Sequence, residues 1–490
     1  MNSENKEKIQ RYFEEHREEY LADLKKLVDI ESTAGEAAPG RPYGEGPAKV
    51  LEAAVAIAEG YGLKALNREH YGLVMLPDDD ERKIDVLGHL DVVPASPESW
   101  TKTAPFEMKV IDGIAYGRGV ADDKGPTLAA IYALRAVKDL GLNAKGVRIF
   151  MGCCEETGAA DTEEYFKEYG KPDTAVTPDA NWPVVNLEKG GMAGFITDKF
   201  GEGAEGGESC CGSSCILSIH GGKALNIICG LTTARICGID KETAAAVAGQ
   251  VQEATGVSFT VTEKDAGPDN AGCCEKILCV TAEGLSAHAS MPELGNNSNT
   301  AMLRFFAALP FDEAARGTKI VKDVITLAQL FPHGDTNGTA AGICLRDEIS
   351  GETTCCLDIL EFDGKELKAI FDARLPVCAN EENTAAVGER VRYCGMQFEG
   401  RMRPAHYVPE DSFLVQNLLA AYEDFTGEKG RCLAIGGGTY CHDIKNGVAY
   451  GFEKFGADYH MHGDDEYIPV DELITGCAIY TDMYVRLCGE

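Results

Sequence analysis

The segment KIDVLGHLDVV, residues 83–93, decides the fold and contains the first candidate functional residues. Its apolar run, Ile84–Val93, predicts a buried strand. Further along, TLAAIYALRAVKDL from Thr127 has the periodicity of a helix, and VRIFMGCC from Val147 is again typical of a strand. This alternation predicts βαβ units and therefore an α/β fold.

Helical patterns lie on both sides of this segment. Upstream, Lys6–Ile30 predicts one amphipathic helix, and Gly46–Glu59 predicts a second. Downstream, DSFLVQNLLAAYEDFTG at residues 411–427 predicts another helix, and a final helix is expected from about Val470. We assign these helices to the same domain as the βαβ units.

The composition changes after Asp179, where Gly-rich and Ser-rich segments are mixed with strand-like patches. We interpret this change as an inserted α+β domain at residues 188–377. The insert then interrupts a catalytic domain made of residues 1–187 and 378–490. A chain of 490 residues is long enough to form two hydrophobic cores.

Charge and hydropathy narrow the classes of partner. The 79 acidic residues outnumber the 46 basic ones and give a net charge of −33, which disfavours nucleic acid and anionic lipid. The N-terminal segment lacks the pattern of an export signal, and no apolar run reaches the roughly 18 residues of a membrane span. We expect a cytoplasmic protein that binds neither nucleic acid nor membrane.

The 19 cysteines are scattered along the chain, which favours reduced thiols over a disulfide framework. Cys210, Cys211 and Cys215 form the densest cluster, but this cluster lacks a second pair at zinc-finger spacing. The cluster is therefore not expected to bind a metal. The pairs Cys273–Cys274 and Cys355–Cys356 lie in strand-like segments, where packing explains them.

His89 and Asp91 lie two residues apart at the end of the first predicted strand. Strand alternation would put both side chains on one face, so that Asp91 can hold one imidazole nitrogen while the other binds a metal. A packed histidine is the alternative.

Two further segments place adjacent carboxylates in glycine-punctuated turns. In GRGVADDKGP, Asp122 and Asp123 precede a helix and repel each other unless a cation is present, although a solvated acidic turn explains them equally well. In MGCCEETG, Glu155 and Glu156 follow a strand. One of these two glutamates can bind metal while the other accepts a proton from water. The alternative interpretation of this turn is a helix N-terminus rich in glutamate.

Asp179 also follows a strand-like run, and HMHGDDEY offers His460 and His462, which spacing alone does not separate. Ligands gather at the carboxyl ends of strands in open α/β sheets. A set of oxygen and nitrogen ligands without thiolate indicates zinc, with manganese or cobalt as alternatives.

Together, these motifs resemble a known family. GHLDVVP, GRGVADDKGP, the EETG turn, TPDA, EGLSAHASMPELGNNS, GGGTY and MHGDDEY are similar to motifs of the dinuclear-zinc peptidases and deacylases. That family includes carboxypeptidase G, succinyl-diaminopimelate desuccinylase, aminoacylase and carnosinase, and the match is closest to the PepV-type bacterial dipeptidases. The resemblance implies a zinc-exopeptidase domain, a mixed sheet flanked by helices, with an inserted α+β lid.

The resemblance also implies roles for the site residues. Asp122 would bridge two zinc ions, and the peptide bond between Asp122 and Asp123 would be cis. Glu155 would be the general base, and Asp91 would orient a metal ligand. The remaining metal ligands would be His89 and Asp179 for one ion, and Glu156 and His462 for the other.

In the lid, the resemblance implies that His288 stabilises the oxyanion and that Asn226 and Arg374 hold the substrate, with Arg374 gripping its carboxylate. Gly437 and Thr439 of GGGTY are further expected substrate contacts. His442 departs from the family pattern, which often has a basic residue shortly after GGGTY. It either contacts substrate or packs, and we favour packing.

The function implied is metal-dependent hydrolysis of dipeptides with a free N-terminus, by a monomer or homodimer. The alternative within the family is an N-acyl amino acid deacylase or desuccinylase. A metal-binding or peptide-binding protein without catalysis is the alternative from another class, but such a protein has no need of Glu155 beside a ligand.

Overall fold

The computed structural model describes residues 3–200, 214–266 and 275–489, which form two compact units. Unit 1 contains the residues up to Glu188 and those from His406 onward, and unit 2 contains Lys189–Ala405. Each unit has its own hydrophobic core. The α/β architecture with mixed sheets flanked by helices is confirmed.

The first part of unit 1 alternates strands and helices. Its helices are α1 Ser3–Glu15, α2 Arg17–Val28, α3 Glu45–Gly60, α4 Lys124–Asp139 and α5 Ala160–Tyr169. Its strands are β1 Lys64–Asn67, β2 Gly72–Met75, β3 Ile84–His89, β4 Lys109–Ile111, β5 Ile114–Tyr116, β6 Val147–Gly152, β7 Thr174–Thr177, β8 Asn181–Trp182 and β9 Val184–Glu188.

Unit 2 follows directly along the chain. Its strands are β10 Gly190–Lys199, β11 Cys215–Gly221, β12 Leu231–Cys237, β13 Ser258–Asp265, β14 Lys276–Glu283, β15 Arg346–Asp347, β16 Gly351–Glu352, β17 Thr354–Phe362, β18 Glu366–Leu375 and β19 Gln397–Arg403. Its helices are α6 Lys241–Thr255, α7 Ser298–Ala308, α8 Glu313–Gly317, α9 Lys319–Leu330 and α10 Glu381–Tyr393.

The chain then returns to complete unit 1. These last elements are β20 His406–Tyr407, α11 Phe413–Thr426, β21 Cys432–Ile435, β22 Asn446–Ala449, β23 Glu453–Lys454, β24 Tyr467–Pro469 and α12 Val470–Cys488. The unit 1 sheet has the order β1-β2-β6-β3-β7-β22-β9-β20, with β21 also paired to β9. At its centre, β3 runs parallel to β6 and β7, so their carboxyl ends share one edge.

Helix α4 lies in the core of unit 1 and fixes the turn that precedes it. Every residue from Lys124 to Val137 is buried, as expected for a helix that is apolar on all sides. Gly88 in β3 allows a close approach to this helix, because a Cβ there would lie 2.0 Å from the Thr127 hydroxyl and 2.8 Å from the Asp123 carboxylate. The end of β3 and the start of α4 are therefore packed against each other.

Several predicted element boundaries differ from the structure, and the clearest differences lie around the first strand and helix pairs. The helix predicted at Lys6–Ile30 is two helices, because His16 leaves helical geometry, its φ and ψ being −105° and 8°. The helix predicted from Thr127 begins earlier, at Lys124. The strand predicted to reach Val93 ends at His89, so Asp91 lies beyond it.

Unit 2 is an eight-stranded antiparallel sheet in the order β13-β14-β12-β11-β17-β18-β10-β19, with a core that includes side chains of α6, α7 and α9. The unit begins one residue from the predicted boundary but ends at Ala405 rather than at residue 377. The reason is that β19 pairs with β10, and α10 packs on β19. Residues 378–405, assigned to the catalytic domain from sequence, belong to unit 2 on this division.

No helix in the described ranges combines the length and apolar character that a membrane span needs. Of the cysteine cluster, Cys210 and Cys211 lie outside the described residues, as do Cys273 and Cys274. Cys215 lies on β11, with its sulfur 3.2 Å from that of Cys237 on β12.

A buried pair of carboxyl groups in unit 2 makes stability depend on pH. Asp323 of α9 is buried beside Asp198 of β10, and burial together with the negative charge of Asp198 raises the pKa of Asp323 to about 7. When folding raises the pKa of a carboxyl group, ionisation of that group lowers the free energy of unfolding. The loss begins as the pH rises above the pKa of the unfolded state and is complete above the pKa of the folded state. Asp323→Asn should therefore increase the free energy of unfolding by about 1–3 kcal/mol at pH 8.

Most of the gain should disappear as the pH falls to 4, because Asp323 is then protonated in the folded state and only partly ionised in the unfolded state. Urea unfolding at both pH values measures it, with the exposed Asp411→Asn as the control. A gain of equal size at pH 4 and pH 8 would contradict the assignment.

Candidate active site

His89 ends β3 in unit 1 and is fully buried. Its Nδ1 lies 3.0 Å from the carbonyl oxygen of Asp91, which requires the proton on Nδ1. Nε2 faces two carboxylates, 3.1 Å from Asp122 Oδ1 and 3.8 Å from Asp179 Oδ2. Nε2 makes no hydrogen bond of acceptable geometry, so a buried ring nitrogen points into an acidic cluster.

Asp122 lies between two histidines. While Oδ1 faces His89, Oδ2 lies 3.0 Å from Nε2 of His462. The peptide bond to Asp123 is cis, as the family resemblance implied. Asp123 itself is fully buried and accepts hydrogen bonds from the His89 backbone N–H at 3.0 Å and from the Thr127 hydroxyl at 2.8 Å. Asp123 thus fixes the turn, and Asp122 faces the histidines.

The adjacent carboxylates Glu155 and Glu156 occupy a 3₁₀ turn that begins three residues after the end of β6. Glu156 Oε1 lies 3.2 Å from His462 Nε2, which joins this turn to the same cluster. Burial raises the pKa of Glu155 to about 7, and the negative charges of Glu156 and Asp122 add to the effect. A carboxylate with a pKa near neutrality suits proton transfer at physiological pH.

Asp91 has a wider role than the sequence predicted. Its carbonyl, rather than its carboxylate, makes the hydrogen bond to His89, and the nearest carboxylate oxygen is 3.5 Å from Nδ1. Its two carboxylate oxygens accept the backbone N–H groups of Glu155 and Glu156 at 3.2 and 3.1 Å. Asp91 therefore holds both the imidazole of His89 and the turn that carries the two glutamates.

The structure distinguishes the two candidate ligands His460 and His462. His462 contacts Asp122 and Glu156, and its side chain is 58% exposed, which leaves it accessible to a ligand. His460 is exposed, and its Nδ1 lies 3.1 Å from the backbone carbonyl of Asp464. Only His462 of this pair contacts the acidic cluster.

The cluster fits a divalent cation. Burial and the charge of Asp122 raise the pKa of Asp179 well above its usual range, and burial raises that of Asp123 to about 8. Several carboxyl groups would thus have to keep protons, which a cation can displace. One ligand atom each of His89, Asp122 and Glu156 lie within 4.8 Å of one another. Ligands about 2.0–2.1 Å from a tetrahedral zinc ion are themselves about 3.3 Å apart, close to the spacings seen.

The glycine-rich GGGTY loop is fastened to the end of β9. Glu188 is buried and accepts the Thr439 backbone N–H at 3.1 Å and the Thr439 hydroxyl at 2.6 Å. It also contacts His442 Nδ1 at 2.8 Å, and His442 is only 4% exposed. Gly437, by contrast, has open space where a side chain would be. His442 therefore packs against Glu188, in agreement with the interpretation we favoured.

His442→Ala should destabilise the protein, because the buried Glu188 carboxylate loses one hydrogen-bond donor. We expect the free energy of unfolding to fall by about 1–3 kcal/mol. Urea unfolding measures the loss, and the exposed His220→Ala serves as the control. If His442 acted only on substrate, the variant would unfold like the wild type and only its KM would rise.

The three predicted lid residues lie near one another in unit 2. The Asn226 carbonyl accepts the Ala289 backbone N–H at 2.9 Å, next to His288. Burial and the positive charge of Arg374 lower the pKa of His288. The Ser290 backbone N–H donates to His288 Nδ1 at 3.1 Å, which leaves the proton of a neutral ring on Nε2.

The partners of these residues are acidic. Arg374 lies on β18, with its Nε donating to Asp372 at 2.8 Å. Asn226 has a left-handed backbone, with φ of 60°, and its N–H donates to the buried Asp358 at 3.0 Å. Unit 2 thus places the His288 ring, the Arg374 guanidinium and the Asn226 amide in one region.

Sequence reasoning missed several buried residues that hold the site. Asp161 accepts the backbone N–H groups of Cys153 and Cys154 and the Tyr440 hydroxyl, which fixes the chain just before Glu155. Glu466 similarly binds the loop before Asp122. Asp161 lies in none of the motifs that the sequence offered, whereas Glu466 lies inside MHGDDEY, and that position was a usable signal.

Comparison with known proteins shows the family of this chain. The family model described as Peptidase family M20/M25/M40 matches residues 86–486. The chain belongs to this family. The M20-family match includes residues 86–188 and 406–486 of unit 1 and all of unit 2.

Relatives of this M20-family chain match it from end to end. The putative dipeptidase YtjP of Bacillus subtilis is 31% identical, covering 96% of this chain and 97% of the relative. The Beta-Ala-Xaa dipeptidase of Lactobacillus delbrueckii subsp. lactis is 30% identical, covering 97% of each chain. The crystal structure of human carnosine dipeptidase 1 matches the fold with a TM-score of 0.56 at 15% identity, covering 99% of each chain.

Proposed function

We propose that this M20-family chain is a dipeptidase that uses two zinc ions. The observation that carries the proposal is the convergence of His89, Asp122, Glu156 and His462 beside the separate carboxyl group of Glu155. Relatives named as dipeptidases over their whole length support the reaction. Asp122 would serve both ions, His89 and Asp179 would complete one position, and Glu156 and His462 the other. Manganese or cobalt remain alternatives to zinc.

Each residue of the proposed site has a separate role in peptide hydrolysis. The metal ions would supply Lewis acidity at the scissile carbonyl. Glu155 accepts the proton of the attacking water and later delivers it to the departing amine. Asp91 orients both His89 and the glutamate turn. The Nε2–H of His288 suits the donor that the family resemblance assigns to the oxyanion.

The substrate is a dipeptide with a free N-terminus, and β-alanyl dipeptides belong in the first panel because one relative is named for them. Metal-stripped protein restored with zinc should hydrolyse an unblocked dipeptide faster than its N-acetyl form. The reverse preference would favour the deacylase alternative, and binding without turnover of either would favour the non-catalytic one. Location in the cytoplasm and a monomeric or homodimeric state stay predictions from sequence.

Arg374→Ala should raise KM for a free dipeptide by about 10–100-fold, because a charge-assisted hydrogen bond to the substrate carboxylate is lost. KM for the C-terminally amidated dipeptide should change much less. Steady-state kinetics on both substrates measure the difference, with the exposed Arg235→Ala as the control within unit 2. Equal increases for both substrates would rule out the carboxylate contact.

A further inference from the structure

Glu466 is a buried carboxylate that joins two segments of the candidate metal site. Its Oε1 accepts the backbone N–H groups of Gly119, Ala121 and Asp122 at 3.0, 3.0 and 3.2 Å. Its Oε2 accepts Arg118 Nη1 at 2.6 Å. Both Glu466 and Arg118 are almost completely buried, with 0% and 2% exposure. One side chain therefore holds the whole loop that ends at Asp122.

Arg118 extends this connection to the segment that carries His462. Its Nη2 donates to the carbonyl oxygen of Gly463 at 2.8 Å, directly after His462. The Gly117 backbone N–H also donates to the Glu466 carbonyl at 3.1 Å. The loop before Asp122 and the segment after His462 are thus joined by a pair of oppositely charged side chains and by backbone hydrogen bonds.

We propose that Glu466 and Arg118 are positioning residues that set the spacing between Asp122 and His462. This inference rests on the proposed function, in which these two residues are ligands. The His462 Nε2 to Asp122 Oδ2 distance is 3.0 Å, and ligands tolerate errors of only about 0.5 Å before a metal position is lost. Groups that orient metal ligands typically contribute 10–100-fold to metal affinity.

The connection depends on the carboxylate of Glu466 and the guanidinium of Arg118, which other side chains of similar size do not replace. A carboxylate can accept backbone N–H groups on one oxygen and a guanidinium on the other, whereas the amide of glutamine would turn its NH₂ group towards Arg118. Arg118 reaches Glu466 and Gly463 through its two terminal nitrogens, and a lysine has a single nitrogen for both acceptors. Glu466→Gln and Arg118→Lys therefore weaken the connection with little loss of volume.

A purely structural role is the competing explanation, and a matched variant separates the two. Arg486 donates to the buried Asp482 within α12 at 2.8 Å, an ion pair without contacts to the ligand segments among the described hydrogen bonds. Arg486→Lys weakens a buried ion pair in the same unit. The zinc affinity and the unfolding of Arg486→Lys together therefore show how much a loss of stability, by itself, weakens metal binding.

The test is zinc titration of metal-stripped, full-length protein in competition with a chromophoric chelator. We expect Glu466→Gln and Arg118→Lys to weaken one of two zinc positions by about 10–100-fold, and Arg486→Lys to leave both unchanged. Excess zinc should restore most of the dipeptidase activity of the two positioning variants. Urea unfolding of the metal-free proteins accompanies the titration, and Arg118→Lys suffices if Glu466→Gln does not fold.

Two results would overturn the positioning role. One is wild-type zinc affinity at both positions in a folded Arg118→Lys protein. The other is a loss of affinity that the Arg486→Lys control reproduces at equal loss of stability. If the wild type itself binds no zinc, the proposed function fails instead. If it binds two zinc ions and hydrolyses dipeptides while the variants bind normally, only the positioning role fails.

Discussion

Glu155→Gln should lower kcat for dipeptide hydrolysis by about 10²–10⁴-fold, the usual contribution of a general base. The variant keeps the size and hydrogen-bonding shape of the side chain but cannot accept the proton of the attacking water. Its backbone N–H still binds Asp91, so the neighbouring Glu156 should stay in place. We therefore expect zinc content equal to that of the wild type and a KM that changes little.

The exposed Glu163→Gln on α5 is the matched control, because it makes the same chemical change away from the cluster. Stopped-time assays give kcat and KM, and elemental analysis of the same samples gives the metal content. Substantial residual peptidase activity in a metal-loaded Glu155→Gln protein would mean that another group takes the proton.

His462→Ala should empty one of the two metal positions and abolish turnover at limiting zinc. Its imidazole lies beside both Asp122 and Glu156, so its loss removes the nitrogen ligand of that position. His460→Ala removes an imidazole two residues away that contacts only the backbone carbonyl of Asp464 among the described hydrogen bonds. We expect this second variant to keep both metals and most of its activity.

Metal analysis after gel filtration separates the two variants directly. A reversed result, with metal lost from His460→Ala and retained by His462→Ala, would mean that His460 is the ligand and would contradict our assignment. Loss of one equivalent from both variants would point instead to a general disturbance of the MHGDDEY segment.

The parts of the fold that the sequence predicted best are those with long apolar patterns. The helix predicted at Gly46–Glu59 is Glu45–Gly60, because one face of it is buried. The strand predicted from Val147 begins there and ends at Gly152, and nearly every residue in it is buried. The predicted end of the insert, residue 377, differs from the end of unit 2 at Ala405. Gln397–Arg403 is largely exposed, so its pattern carries little information about the sheet it joins.

From the sequence, only those residues of the candidate site that lie in recognisable motifs could be predicted. Polar residues at strand ends drew attention to His89, Asp122 and Glu156, and the structure brings these three together. The supporting contacts were hidden because they join residues far apart in the chain, such as Arg118 with Glu466 and Asp161 with Tyr440. Buried carboxylates of this kind look like surface residues in a single sequence.

The most direct test of the metal-dependent dipeptidase is zinc titration of the metal-stripped wild-type protein with continuous measurement of dipeptide hydrolysis. We expect no hydrolysis before zinc is added, binding of two zinc ions per chain, and activity that rises as both positions fill. Hydrolysis at the full rate by protein that contains no metal, or failure of zinc to bind at all, would contradict the account.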